Sequence, residues 1–175
     1  ATYYSDTGST IYKKSYFAYL PLKKAELFLT SYLYQNDDNK NHWDIDSAKL
    51  LLSHLRHNNA LSGRWLSEWF VNEGLLNYVE GKYQSALLYA DSANKVQFEG
   101  KDIVQLKSPL CNLKGLVLAK LGRFKEAENI LENNQSQYFL KKYALETLYT
   151  SSYQEKDYAH AYKYMKMYVD FLSQE

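Results

Sequence analysis

The chain reads as an all-α array of antiparallel helix pairs, on three observations. Its 175 residues hold two prolines and seven glycines, fewer than a sandwich or barrel with many turns needs. Apolar residues recur at helical rather than strand spacing. Three segments also repeat one order of features, the mark of a repeat architecture.

The repeating segments are 69–93 (WFVNEGLLNYVEGKYQSALLYADSA), 110–134 (LCNLKGLVLAKLGRFKEAENILENN) and 144–168 (ALETLYTSSYQEKDYAHAYKYMKMY). In each, an apolar-periodic stretch runs into a short polar turn, then an aromatic, then Ala three residues on. The turns are Glu80-Gly81-Lys82, Leu121-Gly122-Arg123 and Glu155-Lys156-Asp157. The aromatic–alanine pairs are Tyr83/Ala86, Phe124/Ala127 and Tyr158/Ala161, with apolar Ala90, Leu131 and Met165 four residues after each alanine.

This order resembles the tetratricopeptide repeat (TPR) family. Phe70 takes the early aromatic place, Gly74 and Gly115 the first-helix glycine, and Ala86, Ala127 and Ala161 the close-contact alanine of the second helix. Small residues at both places let the two helices of a repeat approach closely. Glu73 and Lys114 depart from the family's leucine, Tyr149 replaces its glycine, and no proline closes a repeat. The alanines stand 41 and then 34 residues apart, the second being the family period. The resemblance implies a right-handed α–α superhelix of TPR-like helix pairs.

The remaining elements follow in chain order. Residues 12–34 predict one helix broken at Pro21, or two short ones. Residues 35–41 (QNDDNKN) predict a polar loop, and 45–55 (IDSAKLLLSHL) a helix. The seven extra residues of the first spacing are assigned to a longer second helix or a loop at 98–107. Ser108-Pro109 predicts a helix start, with Ser as N-cap and Pro at the first position. The last helix, 158–172, is expected to cap the array, its outward Lys163 and Lys166 keeping that end soluble. A single domain thus spans 1–175: degenerate helices over 1–60, then repeats at 67–100, 108–135 and 142–175.

Composition bounds the function. Apolar residues make up 46% and charged residues 23%, as in an ordinary folded domain. A formal net charge of +1 argues against a polyanion binder, although Lys13-Lys14, Lys23-Lys24 and Lys141-Lys142 are local basic spots, the last near Tyr138, Phe139 and Tyr143. The lone Cys111 cannot form an internal disulfide and reads as a small apolar packing residue. No apolar run is long enough to span a membrane.

Candidate chemistry is sparse. His54 and His57 share a helix face, but HExxH, CxxC and HxH are all lacking, so they read as solvated histidines at a helix end. Asp37-Asp38 and Asp44/Asp46 lack the EF-hand glycine and closing glutamate. Glu126 and Glu128, two apart on a helix, point in different directions. Phosphate loops and nucleophile elbows are missing too. The expectation is a binding module without catalysis, metal or cofactor.

The resemblance nominates where a partner would lie, because the first helix of each TPR pair lines the concave side. Its places are Glu68, Val71, Asn72, Leu75 and Tyr78, then Asn112, Leu113, Leu116 and Lys120, then Glu146, Thr147, Thr150 and Tyr153. A mixed polar and aromatic groove suits an extended peptide or a helix. Val71 and Leu75 replace the Lys and Asn of the chaperone-clamp subtype, which argues against it. The Tyr- and Asn-rich repeats resemble those of bacterial TPR proteins, implying a segment of a larger regulatory or membrane-associated protein, cytoplasmic or at the cell envelope, tethered outside this chain if at all. The expected partner is a protein or peptide, not nucleic acid. The alternative is a sensor holding a small molecule or short signalling peptide in the groove, or a groove filled by the N-terminal helices.

Overall fold

A computed structural model describes residues 7–35, 42–57, 61–96, 102–133 and 140–173. Among them are eight helices and no strand. They are α1 (Thr7–Tyr34), α2 (His42–His57), α3 (Gly63–Val79), α4 (Tyr83–Lys95), α5 (Asp102–Lys120), α6 (Phe124–Glu132), α7 (Leu140–Gln154) and α8 (Tyr158–Leu172). The polar stretch 36–41 with Asp37-Asp38, the side chains of Lys13-Lys14, and Tyr138 and Phe139 lie outside the described residues.

The helices pack as four successive pairs: α1 with α2, α3 with α4, α5 with α6, α7 with α8. The first helix of each pair also packs on the first helix of the next, and α2, α4 and α6 each touch the pair that follows. The three predicted turns share one geometry. Their central residues are left-handed, with φ of 76° at Gly81, 72° at Gly122 and 63° at Lys156. The next amide then reaches back five residues: Lys82 N–H donates to the Asn77 carbonyl (2.8 Å), Arg123 to Leu118 (2.9 Å) and Asp157 to Ser152 (2.9 Å). This is the Schellman ending, which satisfies carbonyls that a helix terminus leaves over. Glycine suits it at two turns; Lys156 adopts it against the usual steric preference.

Close approach within a pair rests on the small residues. A Cβ built on Gly74 would stand 2.8 Å from Leu113 Cδ2 and 3.3 Å from the Ala86 carbonyl oxygen. One built on Gly115 would stand 2.7 Å from Leu131 Cδ2 and 2.8 Å from its Cγ. Ala86, Ala90 and Ala127 of the second helices are fully buried as well.

Three expectations are corrected. First, α1 is not broken at Pro21 but runs through it, its stripe Ala18, Leu22, Ala25 and Leu29 buried on both sides of the proline. Second, Ser108-Pro109 does not start a helix. α5 begins at Asp102 and holds Pro109 in its interior, so the extra residues lengthen the first helix of this pair. In both places a fixed φ is compatible with helix, and burial of Leu22 and Leu29 on α1, and of Leu110 and Leu113 on α5, outweighs one lost backbone bond. Third, Lys163 is exposed like Lys166, but it is not merely solvated: it pairs with Glu128 and Glu132 of α6. Among the described residues no helix is long and apolar enough to cross a membrane.

Candidate functional site

The nominated wall is formed by α3, α5 and α7, and the structure divides it. Glu68, Val71, Asn72, Leu75, Tyr78, Asn112 and Leu116 are buried, and so are Leu113 and Thr147. As an open groove, the wall is corrected at these positions. Leu75, only 2% exposed, is core.

Packing of each pair on the next buries these residues, as where Leu113 of α5 sits against Gly74 of α3. Two side-chain contacts span pairs whose backbones do not meet. Tyr143 on α7 donates its hydroxyl to the Leu33 carbonyl on α1 at 3.1 Å. Its ring meets Tyr34 edge-on at 5.7 Å. Tyr78 on α3 is hydrogen bonded to Thr147 on α7. Burial pushes the Tyr143 hydroxyl up to about 12, and the Tyr78 hydroxyl is raised for the same reason, while the bond with Thr147 acts in the opposite direction.

Polar groups are sealed inside. Glu68 accepts from Arg64 Nε at 3.0 Å and lies 4.0 Å from the Lys23 ammonium. Asn72 donates to the Glu68 carbonyl at 2.9 Å, within its own helix. Trp69 donates its indole N–H to the Leu52 carbonyl of α2 at 3.1 Å, and Ser67 its hydroxyl to the Ala93 carbonyl at the end of α4, also at 3.1 Å. These bonds fix α3 against three neighbours.

Four nominated residues remain exposed: Lys120, Glu146, Thr150 and Tyr153. The last three are spaced four and three apart on α7, so they form one stripe. The stripe runs into aromatic rings. Tyr149 and Tyr153 lie 6.4 Å apart, and Tyr153 meets Tyr158 edge-on at 5.7 Å across the α7–α8 turn. Tyr153 is 58% exposed and Tyr158 60%, so much of this aromatic surface is offered to solvent. Tyr158 is not among the nominated groove places because its repeat place is the packing aromatic of α8. Its counterparts Tyr83 and Phe124 are partly buried on the core.

A cleft opens elsewhere, over the α3–α4 turn. It has a volume of about 430 Å³ and is lined by Tyr32, Ile45, Asp46, Lys49, Val79, Glu80 and Lys82. Glu80 bonds Lys49 and Lys82, and these bonds hold its carboxyl below the usual range. Nothing in the sequence singled this cleft out, because three separate helices contribute to it.

The other candidates resolve simply. His54 and His57 are exposed at the end of α2, and His57 Nδ1 lies 2.7 Å from the Ser53 carbonyl of its own helix. Among the described residues no three His, Cys, Asp or Glu side chains gather to hold a metal ion. Cys111 is partly buried. Lys141 is half-buried and its ammonium is lowered by burial, unlike a solvated phosphate contact. Comparison with models of known families, with characterised proteins and with solved structures yields no match.

Proposed function

We propose that this chain is a TPR-like superhelical binding module whose partner, a protein or peptide, docks on the α7 stripe and the aromatic rings beside it. The reading rests on one observation: Glu146, Thr150 and Tyr153 stay accessible where, Lys120 apart, the rest of the nominated wall is core, and they adjoin exposed Tyr158. A stripe with one acid, one hydroxyl and two half-exposed tyrosines suits recognition, because Tyr offers large, stiff contact area at small entropic cost. The proposal assigns no catalysis and no cofactor, and it carries over the bacterial regulatory setting implied by the repeats.

The test is affinity capture from native lysate with the wild type, a Thr150→Arg/Tyr153→Ala double variant and a Leu88→Ala control on exposed Leu88 of α4. A protein kept by wild type and control but lost by the double variant supports the stripe. Equal retention by all three would sink it.

A small-ligand sensor is the second reading, favoured by the cleft over the α3–α4 turn rather than by the concave side. A compound that raises the melting temperature of wild type but not of a Val79→Arg variant would favour it.

A further inference from the structure

The cleft over the α3–α4 turn joins both signs of charge to apolar side chains. Its apolar lining comes from Tyr32 near the end of α1, Ile45 near the start of α2 and Val79 at the end of α3. Tyr32 and Ile45 belong to the core, and Val79 packs partly buried against it. The charged lining is Asp46, Lys49, Glu80 and Lys82. Glu80 stands between the two lysines: Lys49 Nζ lies 2.5 Å from its Oε1, and Lys82 Nζ lies 2.8 Å from its Oε2. Asp46 and Lys49, three apart on α2, share a face, and Asp46 attracts the Lys49 ammonium. Asp46, Lys49 and Lys82 are all exposed.

Two acids and two lysines thus share one opening and balance each other. That balance selects among ligands. A simple anion would bring its charge against Glu80 and Asp46, and a simple cation would bring its charge against two ammoniums. Each ammonium has three donors, so bonding to Glu80 leaves others for a second carboxylate. Asp46 offers acceptors for an ammonium. The volume of about 430 Å³ lies in the usual range of small-molecule sites, which combine apolar walls with a few placed polar groups.

We propose that this cleft binds a zwitterion with an apolar side chain, a free amino acid of the leucine kind. Its carboxylate would lie on Lys49 and Lys82, its ammonium on Asp46, and its side chain on Tyr32, Ile45 and Val79. The proposal rests on the small-ligand reading of this cleft and names its ligand class; it is independent of the α7 stripe. Because α2 belongs to the first pair and the α3–α4 turn to the second, the ligand bridges two pairs, and binding it stabilises the fold.

Thermal unfolding at low ionic strength, where exposed charges are least screened, tests it. The probes are leucine, isocaproate (which lacks the ammonium), isoamylamine (which lacks the carboxylate) and glycine (which lacks the side chain). Leucine is expected to raise the wild-type midpoint saturably. Each of the other three should need at least about tenfold more for the same rise, the cost of one lost charged or apolar contact. Asp46→Asn and Lys82→Met should weaken the leucine response by a similar factor, and Val79→Arg should abolish it, with circular dichroism checking that each variant stays helical. Asp46 and Lys82 are exposed, so those two variants decide the matter if Val79→Arg does not fold. No rise with any of the four probes overturns the proposal. Isocaproate or isoamylamine acting as well as leucine overturns it too, while a rise abolished by Val79→Arg would still uphold a small-ligand cleft of another chemistry. A leucine response that every folded variant keeps places binding elsewhere and overturns it equally.

Discussion

Lys156 shows how much one side chain costs in a shared geometry. It holds the left-handed place that glycine fills in the other two turns, with φ of 63°. Its side chain is exposed, so replacing it removes strain without losing packing. Lys156→Gly should therefore stabilise the fold by about 1 kcal/mol, measured by urea unfolding. An unchanged or lower midpoint would mean that the turn carries no strain. The two helix glycines behave differently. An alanine at either gains about 1 kcal/mol of helix propensity, while overpacking costs about 1–3 kcal/mol. At Gly74 the nearest atom is the swinging end of Leu113, so Gly74→Ala should be nearly neutral. At Gly115 the branch point of Leu131 stands in the way, so Gly115→Ala should lower stability by about 1–2 kcal/mol. Equal midpoints for the two variants would refute this distinction.

At the scale of elements, periodicity made the helices legible and left their ends uncertain. The three turns and the small–small contacts were readable because each depends on residues a few places apart. The run of α1 through Pro21 and of α5 through Pro109 was not, because burial of leucines against other helices decides both. The open wall failed for a related reason. Which residues of α3 and α5 stay wet depends on how successive pairs pack on one another, and no local pattern encodes that packing. Leu75 is the sharpest case. At a groove place Leu75→Arg would spare the fold; in the core it must bury a charge beside apolar neighbours. Loss of at least about 3 kcal/mol, or no folded protein at all, is expected on chemical denaturation. Near-wild-type melting would reopen the groove.

Across the whole molecule, raised tyrosines couple fold to alkaline pH. Tyr143 titrates near 12 in the folded chain against 10 when unfolded, mainly because of burial. Tyr78 and Tyr164 are raised in the same direction, again chiefly by burial, with a bond to Glu128 adding to the shift at Tyr164. A group whose folded pKa lies above its unfolded one stabilises fully below the unfolded value, and that contribution fades as pH rises through the folded value. The tyrosine contribution to stability should thus be constant below about pH 10 and fall as pH rises from there through about 12 and beyond. Ultraviolet titration should show late-ionising tyrosines that ionise together with loss of helix. Ionisation of all tyrosines near pH 10 in a still-helical protein would refute it.

The bond from Tyr143 to the Leu33 carbonyl ties residues 110 positions apart. In a strictly linear array, helices at either end can melt while the middle survives, and a chain cut short by one pair still folds. Here the fourth pair clasps the first. Removing α7 and α8 would strip α1 of a contact that its own neighbours cannot replace. Unfolding should accordingly be all-or-none rather than progressive fraying, and refolding should wait on the late meeting of distant ends.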